Sequence, residues 1–130
     1  MTVGGLRQEV LMFFDAHMTA LPLYEVFEES VFALLPETSM KVQKTQITFS
    51  NRHVYACVTF LRVRKKALLP DPYIVITLGL PYSLESERVA AKTEPYPGRW
   101  TTHIVVGSKE EIDDELLSWV SQAYAYSQKK

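Results

Sequence analysis

Tyr73-Ile74-Val75-Ile76-Thr77-Leu78-Gly79-Leu80 is the stretch on which the fold turns. Its nearly continuous apolar, β-branched character suits a strand covered on both faces, and so one at the centre of a sheet. Upstream the pattern has period two. Met40, Val42 and Lys44 alternate with Lys41 and Gln43, and Ile47, Phe49 and Asn51 alternate with Thr48 and Ser50. A turn at Asn51-Arg52-His53 leads into a longer strand over residues 54–63. That strand sets Val54, Ala56, Val58 and Phe60 on one face and Tyr55, Cys57, Thr59 and Leu61 on the other. Pro70-Asp71-Pro72 carries turn chemistry. Downstream, residues 81–98 read as mostly loop, with one or two helical turns at 86–91, because Pro95 and Pro97 interrupt regular structure. Residues 99–106 form the last strand. Successive hairpin connections imply an antiparallel meander of about five strands.

The flanks are helical. Leu6, Val10, Phe13, Phe14 and His17 fall on one face at spacings of three and four. A second helix is expected from Thr19 as N-cap, with Pro22 in its first turn, where a missing N–H costs nothing. Tyr24, Phe27, Val31 and Leu34 form its apolar stripe, with Glu25, Glu28 and Glu29 facing away, and Pro36 ends it near Leu35. At the other end, Ser108-Lys109-Glu110-Glu111 is a capping box before an acidic first turn. Ile112, Leu116, Val120 and Ala123 follow as a buried stripe with Trp119 beside it, and fraying is expected after Tyr126. The expected fold is α+β: two N-terminal helices, the meander, and a C-terminal helix packed on the sheet. Residues 1–130 are read as one domain.

The chain has 130 residues, 47% hydrophobic and 22% charged, an ordinary globular composition that excludes disorder, coiled coil and collagen as the main state. Its one cysteine, Cys57, allows no internal disulfide and suits a reducing compartment. The first five residues lack the pattern of a signal peptide. The longest apolar run falls short of the ~20 residues a membrane helix needs. These features give a cytoplasmic expectation, with no membrane. The net charge of -1 argues against global attraction to nucleic acid. The charge is unevenly spread: residues 1–36 carry net -4, residues 37–70 net +6 and residues 71–130 net -3. The basic excess centres on Arg62, Arg64, Lys65 and Lys66. It reads either as a phosphate or nucleic-acid contact or as a solvated hairpin tip that discourages edge pairing.

Phosphate loop, dinucleotide fingerprint, Cys-x-x-Cys pair, nucleophile elbow and helical His spacing are all missing from the sequence. No cofactor and no metal site is therefore expected. Cys57, mid-strand in an apolar run, reads as an inert buried thiol. A polar cluster is more informative. Lys44-Thr45-Gln46 joins two strands, Glu94 lies in the proline-rich loop, and Arg99, Trp100 and His103 lie on the last strand. Lys44, Gln46, Glu94, Arg99 and His103 would make a pocket of cationic donors, an acid and a titratable imidazole. The structural alternative has Arg99 pinning Glu94, Lys44 lying along apolar surface and His103 satisfied in the core. Trp100 reads as core.

The order Lys44-Thr45-Gln46-Ile47-Thr48-Phe49, Leu78-Gly79-Leu80, Ser86-Glu87-Arg88, Glu94-Pro95-Tyr96-Pro97, Arg99-Trp100-Thr101-Thr102-His103 and Asp113-Asp114-Glu115-Leu116 resembles a bacterial domain-of-unknown-function family of small stand-alone proteins. It also resembles, more distantly, the C-terminal module of so-called predicted transport proteins. The resemblance runs from the paired helices to Tyr124 and departs chiefly in residues 64–72. It implies no reaction, cofactor or catalytic residue.

The leading expectation is a non-enzymatic ligand-binding or protein-interaction module with a small anion site. The ligand would be a small anion, a nucleotide or an acidic protein segment. The alternative is a small hydrolase or transferase with His103 as general base, oriented by Glu94, and with Lys44 and Arg99 stabilising negative charge. A third reading is nucleic-acid contact through Arg62–Lys66. Homodimerisation is compatible with all three.

Overall fold

The computed structural model describes residues 4–129; the side chains of residues 4–6 and 66 fall outside the described residues, and with them the expectations placed on Leu6 and on the Lys66 side chain. The helices are α1 (Gly4–Phe13), α2 (Leu21–Leu34) and α3 (Asp114–Gln128). The strands are β1 (Ser39–Val42), β2 (Ile47–Ser50), β3 (Val54–Thr59), β4 (Ile74–Leu80), β5 (Val89–Tyr96) and β6 (Arg99–Val106). They form one six-stranded antiparallel sheet in the order β1-β2-β3-β4-β6-β5. The expected α+β architecture holds, with α3 packed on β3 and β4.

Alternation along each strand assigns the two faces. Ile47, Phe49, Ala56, Val58, Ile74, Ile76, Leu78, Ile104 and Val106 are buried on the face that meets the helices. Val10 and Phe14 of the N-terminal region, Tyr24, Phe27 and Val31 of α2, and Leu116, Val120 and Ala123 of α3 complete one core. Phe27 meets Phe49 edge-on at 5.6 Å, and Phe14 meets Tyr24 at 5.1 Å. Such pairs contribute about 0.5–1.5 kcal/mol each beyond the area they bury. β4 is central and buried on nearly every residue, as its composition predicts.

A six-residue stretch of 3-10 turns, Asp15–Ala20, separates α1 from α2, and His17 at φ -140°, ψ 44° breaks helical geometry within it. The chain bends by 101° there, which carries Phe13, Ala16 and His17 round toward Phe60. Among the described residues no single helix is long and apolar enough to cross a membrane. The bent N-terminal pair passes that test only jointly, and Val10, Phe14, Leu21, Leu23, Phe27 and Val31 along it are core.

Several expectations need correction. The sheet has six strands, and residues 89–96 are a strand rather than loop or helical turns. β5 tolerates Pro95 because it is an edge strand and its register shifts between Thr93 and Tyr96, so the missing N–H interrupts no ladder. β5 lies outside β6, so β4 pairs with β6 and the meander is broken at that step. β3 stops at Thr59, short of residue 63. Thr19 is exposed, and α2 begins after Ala20 with Pro22 in its first turn. Glu28 does not face away: it is 7% exposed, and the Tyr24 hydroxyl donates to its Oε1 at 2.7 Å. The capping box closes the short 3-10 turn Lys109–Glu111, while α3 itself is capped by Asp113, which accepts the Leu116 N–H at 3.0 Å. The last helix continues through Gln128 rather than fraying at Tyr126.

Candidate functional site

The sheet face turned away from α3 carries one registered row across all six strands: Lys41, Thr48, Cys57, Thr77, His103 and Ala91. Side chains facing the same way on neighbouring strands stand about 4.5–5.5 Å apart at Cβ, so adjacent members can bond. Thr77 Oγ1 and His103 Nδ1 are 2.8 Å apart. Cys57, Thr77 and His103 are the floor of a pocket of about 600 Å³. Lys44, Thr45 and Gln46 of the β1–β2 turn form one wall, and Phe13, Ala16, His17, Thr59, Phe60 and Leu61 form the rest.

The bend before α2 builds the aromatic wall. The Phe60 ring stacks with His17 at 4.0 Å and 21°, and with Phe13 at 5.5 Å and 22°. Tyr73 donates its hydroxyl to the Phe60 carbonyl at 3.0 Å. Gln46 Nε2 donates to Gln43 Oε1 at 3.0 Å, which steadies the turn that presents Lys44. No aspartate or glutamate is among the pocket's described lining residues, so positive and donor groups face an apolar wall with no carboxylate to compete. Burial pulls the His103 imidazole below its ordinary value of 6.5, leaving it neutral at pH 7. Burial pushes the Cys57 thiol up, against a smaller opposing effect of the Thr77 hydroxyl, so the thiol stays protonated there. It is half-buried and reaches the pocket, rather than sealed in the core.

Of the five residues expected to form a site, the structure brings Lys44, Gln46 and His103 to this pocket. Glu94 is elsewhere: its Oε2 accepts the Gly98 N–H at 3.1 Å, within the β5–β6 turn. The register partner of His103 on β5 is Ala91, and its ring bonds Thr77. The Glu94–His103 pair of the catalytic expectation is therefore not assembled. Arg99 does not pin Glu94 either. Its guanidinium lies flat on Gly79, where a Cβ would stand 2.7 Å from Cζ and Nη1. In the basic segment, Arg62 and Lys65 are exposed on irregular chain, and Arg64 Nη2 donates to the Glu87 carbonyl at 3.4 Å. With β3 ending at Thr59, these residues do not form a strand-borne hairpin tip.

The sequence reading missed Thr59, Phe60, Cys57 and Thr77 as pocket residues, and His17 with them. Threonines at alternate positions on the non-core face were the available signal. The approach of His17 depends on the bend, which no local pattern announces. Among the described residues no group of three or more His, Cys, Asp or Glu side chains is placed to hold a metal ion.

The family model for a domain of unknown function, DUF5655, matches residues 12–127. The chain belongs to that family. DUF5655 membership thus spans the pocket's contributing elements from Phe13 to His103. No curated protein and no solved structure matched the chain.

Proposed function

We propose that this DUF5655 domain is a small-molecule-binding module whose ligand is an organic anion with a planar or apolar body. The observation that carries the reading is the pocket of about 600 Å³ with Lys44, His17 and the Thr77–His103 pair on its lining and no carboxylate among them. Its size lies within the range of roughly 300–1,000 Å³ typical of ligand sites, and such sites combine apolar walls with a few polar groups. Phe60 and Phe13 offer the flat wall, and Lys44 offers charge at the rim. A cytoplasmic setting agrees with the lone thiol.

The test is titration of ¹⁵N-labelled protein with benzoate and phenyl phosphate, following the amides of Thr45, Cys57, Thr77 and His103. Saturable shifts confined to these residues, weakened in Lys44→Ala, are expected. No shift at any of them with either probe removes the pocket from consideration.

A second reading rests on the same hydroxyl–imidazole contact, whose 2.8 Å separation is the reach of an activated nucleophile and its base. In that reading the Thr77 oxygen attacks the acyl or phosphoryl centre of an ester, and neutral His103 takes its proton. His103 passes that proton to the departing alcohol or phenol as its bond breaks, and water then hydrolyses the ester left on Thr77. Hydrolysis of a p-nitrophenyl ester that is lost in both Thr77→Val and His103→Gln would favour it. Equal rates in the wild type and both variants would eliminate it.

A further inference from the structure

The Arg99 guanidinium carries the charge that the pocket's own lining does not use. It is partly buried, yet among the described residues it has no hydrogen bond and no carboxylate partner. A guanidinium loses hydration on burial and normally recovers it from an acceptor. Here it lies on Gly79 instead, with Cζ, Nη1 and Nη2 at 2.7, 2.7 and 2.8 Å from where a Cβ would be. Gly79 is a central-strand glycine, a position where glycine weakens a strand and marks a close approach. The close approach is that of Arg99.

That contact moves the charge along the sheet. Arg99 and His103 are four residues apart on β6, about 13 Å by strand rise. Gly79, however, is the register partner of Thr101. The guanidinium thus reaches back to the level of Thr101, about 6–7 Å from the level of the Thr77–His103 pair. The hydroxyl-bearing Thr101 and its β5 partner Thr93 share that level. No acidic residue occupies a registered position on this face at either level. The nearest carboxylate on β5, Glu94, is engaged by the Gly98 N–H.

We propose that Arg99, held flat by Gly79, is a phosphate subsite adjoining the pocket, and that the ligand is a phosphorylated compound whose planar or apolar body fills the pocket. The proposal rests on the pocket reading above and adds the identity of the anion. A planar fork of N–H donors pairs bidentately with a phosphate or a carboxylate, but a phosphate monoester adds a second negative charge and a third acceptor oxygen, which the flanking threonine hydroxyls can serve. The phosphate lies at the Gly79–Thr101 level, and the body extends past Thr77 and His103 toward Phe60.

The test compares phenyl phosphate, benzoate and inorganic phosphate by amide shifts and calorimetry in the wild type, Arg99→Ala, Arg99→Lys and Gly79→Ala. Phenyl phosphate is expected to bind about tenfold or more tighter than benzoate and to shift both the pocket amides and those of Gly79 and Thr101. Arg99→Ala abolishes that preference, and Arg99→Lys restores only part of it. Gly79→Ala keeps the charge but displaces it, and loses the preference as well. This variant is expected to fold, because the atoms that a Cβ would meet are the far end of a flexible side chain. If benzoate and phenyl phosphate shift the pocket amides with equal affinity and Arg99→Ala changes neither, the pocket stands and the phosphate subsite is overturned. If no probe shifts the pocket amides, the pocket reading itself fails. Unchanged preference in Gly79→Ala, with melting as in the wild type, also overturns the positioning of Arg99.

Discussion

Thr77 Oγ1 and His103 Nδ1 meet at 2.8 Å between the neighbouring strands β4 and β6. The contact sits where the open face of the sheet becomes the pocket floor, so it reports on both stability and ligand. Burial depresses the imidazole below 6.5. The unfolded chain therefore binds a proton that the folded chain resists, and stability is expected to fall as pH drops below about 6.5 through the folded value. Thermal melts between pH 7.5 and 5, in the wild type and His103→Gln, check this: the variant should lose part of the slope. An anion bound in the pocket should raise the His103 titration point, as read from its ring proton by NMR.

Thr102 is fully buried on the helix-facing side of β6, and its Oγ1 has no hydrogen-bond partner among the described residues. Leaving a buried hydroxyl unsatisfied costs about 1–3 kcal/mol. Thr102→Val has the same shape and is expected to raise the chemical-denaturation midpoint by an amount equivalent to about 1 kcal/mol. A lower midpoint would show that the hydroxyl does bond.

Arg88 fastens the β4–β5 connection to the start of α3. Its Nη1 donates to Asp113 Oδ1 at 2.9 Å and to Glu115 Oε1 at 3.0 Å, its Nη2 donates to the Glu111 carbonyl, and its Cζ lies 5.5 Å from the Trp119 ring centroid. Asp113 is held below its usual value chiefly by the Leu116 N–H it caps, with Arg88 adding to the effect. A depressed carboxylate stabilises the fold above its unfolded value of 3.8 and loses that contribution as pH falls through the folded value. Asp113→Ala should cost about 0.5–2 kcal/mol at neutral pH. Asp113→Asn keeps the cap and should cost less, with a flatter acid limb in denaturation.

Tyr24 is fully buried, and its hydroxyl donates to the buried Glu28. Burial first, and the nearby carboxylate second, hold the phenol far above its usual range. Tyr24→Phe removes a donor from a buried acceptor and should cost about 1–3 kcal/mol. Spectrophotometric titration should show one tyrosine in the wild type that ionises only on unfolding.

Cys57 is half-buried at the pocket floor with its thiol pushed up by burial. Because the thiolate is the reacting species, iodoacetamide should modify it more slowly than free cysteine at pH 8. Phenyl phosphate should slow it further. Modification at the free-cysteine rate would mean that the floor is more open than described.

The sheet was readable because its strands alternate and because residues 73–80, apolar throughout, had to be central. The fifth strand, β5, was hidden by its own chemistry. Two prolines argue against a ladder, and only the edge position of β5 reconciles them. Glu28 misled for a similar reason, since a carboxylate on a helix is normally solvated and its buried partner is Tyr24, one turn away. At the site, Lys44, Gln46 and His103 were legible because polar residues flank strands that bury apolar faces. Glu94 and Arg99 were sensibly grouped with them by sequence, but a turn N–H engages the first, and a glycine on a different strand places the second. Pairings of that kind depend on register, which alternation alone does not define.

The two rims of the sheet have a consequence for assembly. β1 offers only four residues, and β5 carries Pro95 and a register slip near its end. Neither rim presents a long, straight row of unpaired amides on which a further strand could grow. A second chain that joins this one is therefore expected to meet it through its helices, which leaves the threonine-lined face free for small solutes, or across that face, in which case assembly and small solutes compete for it.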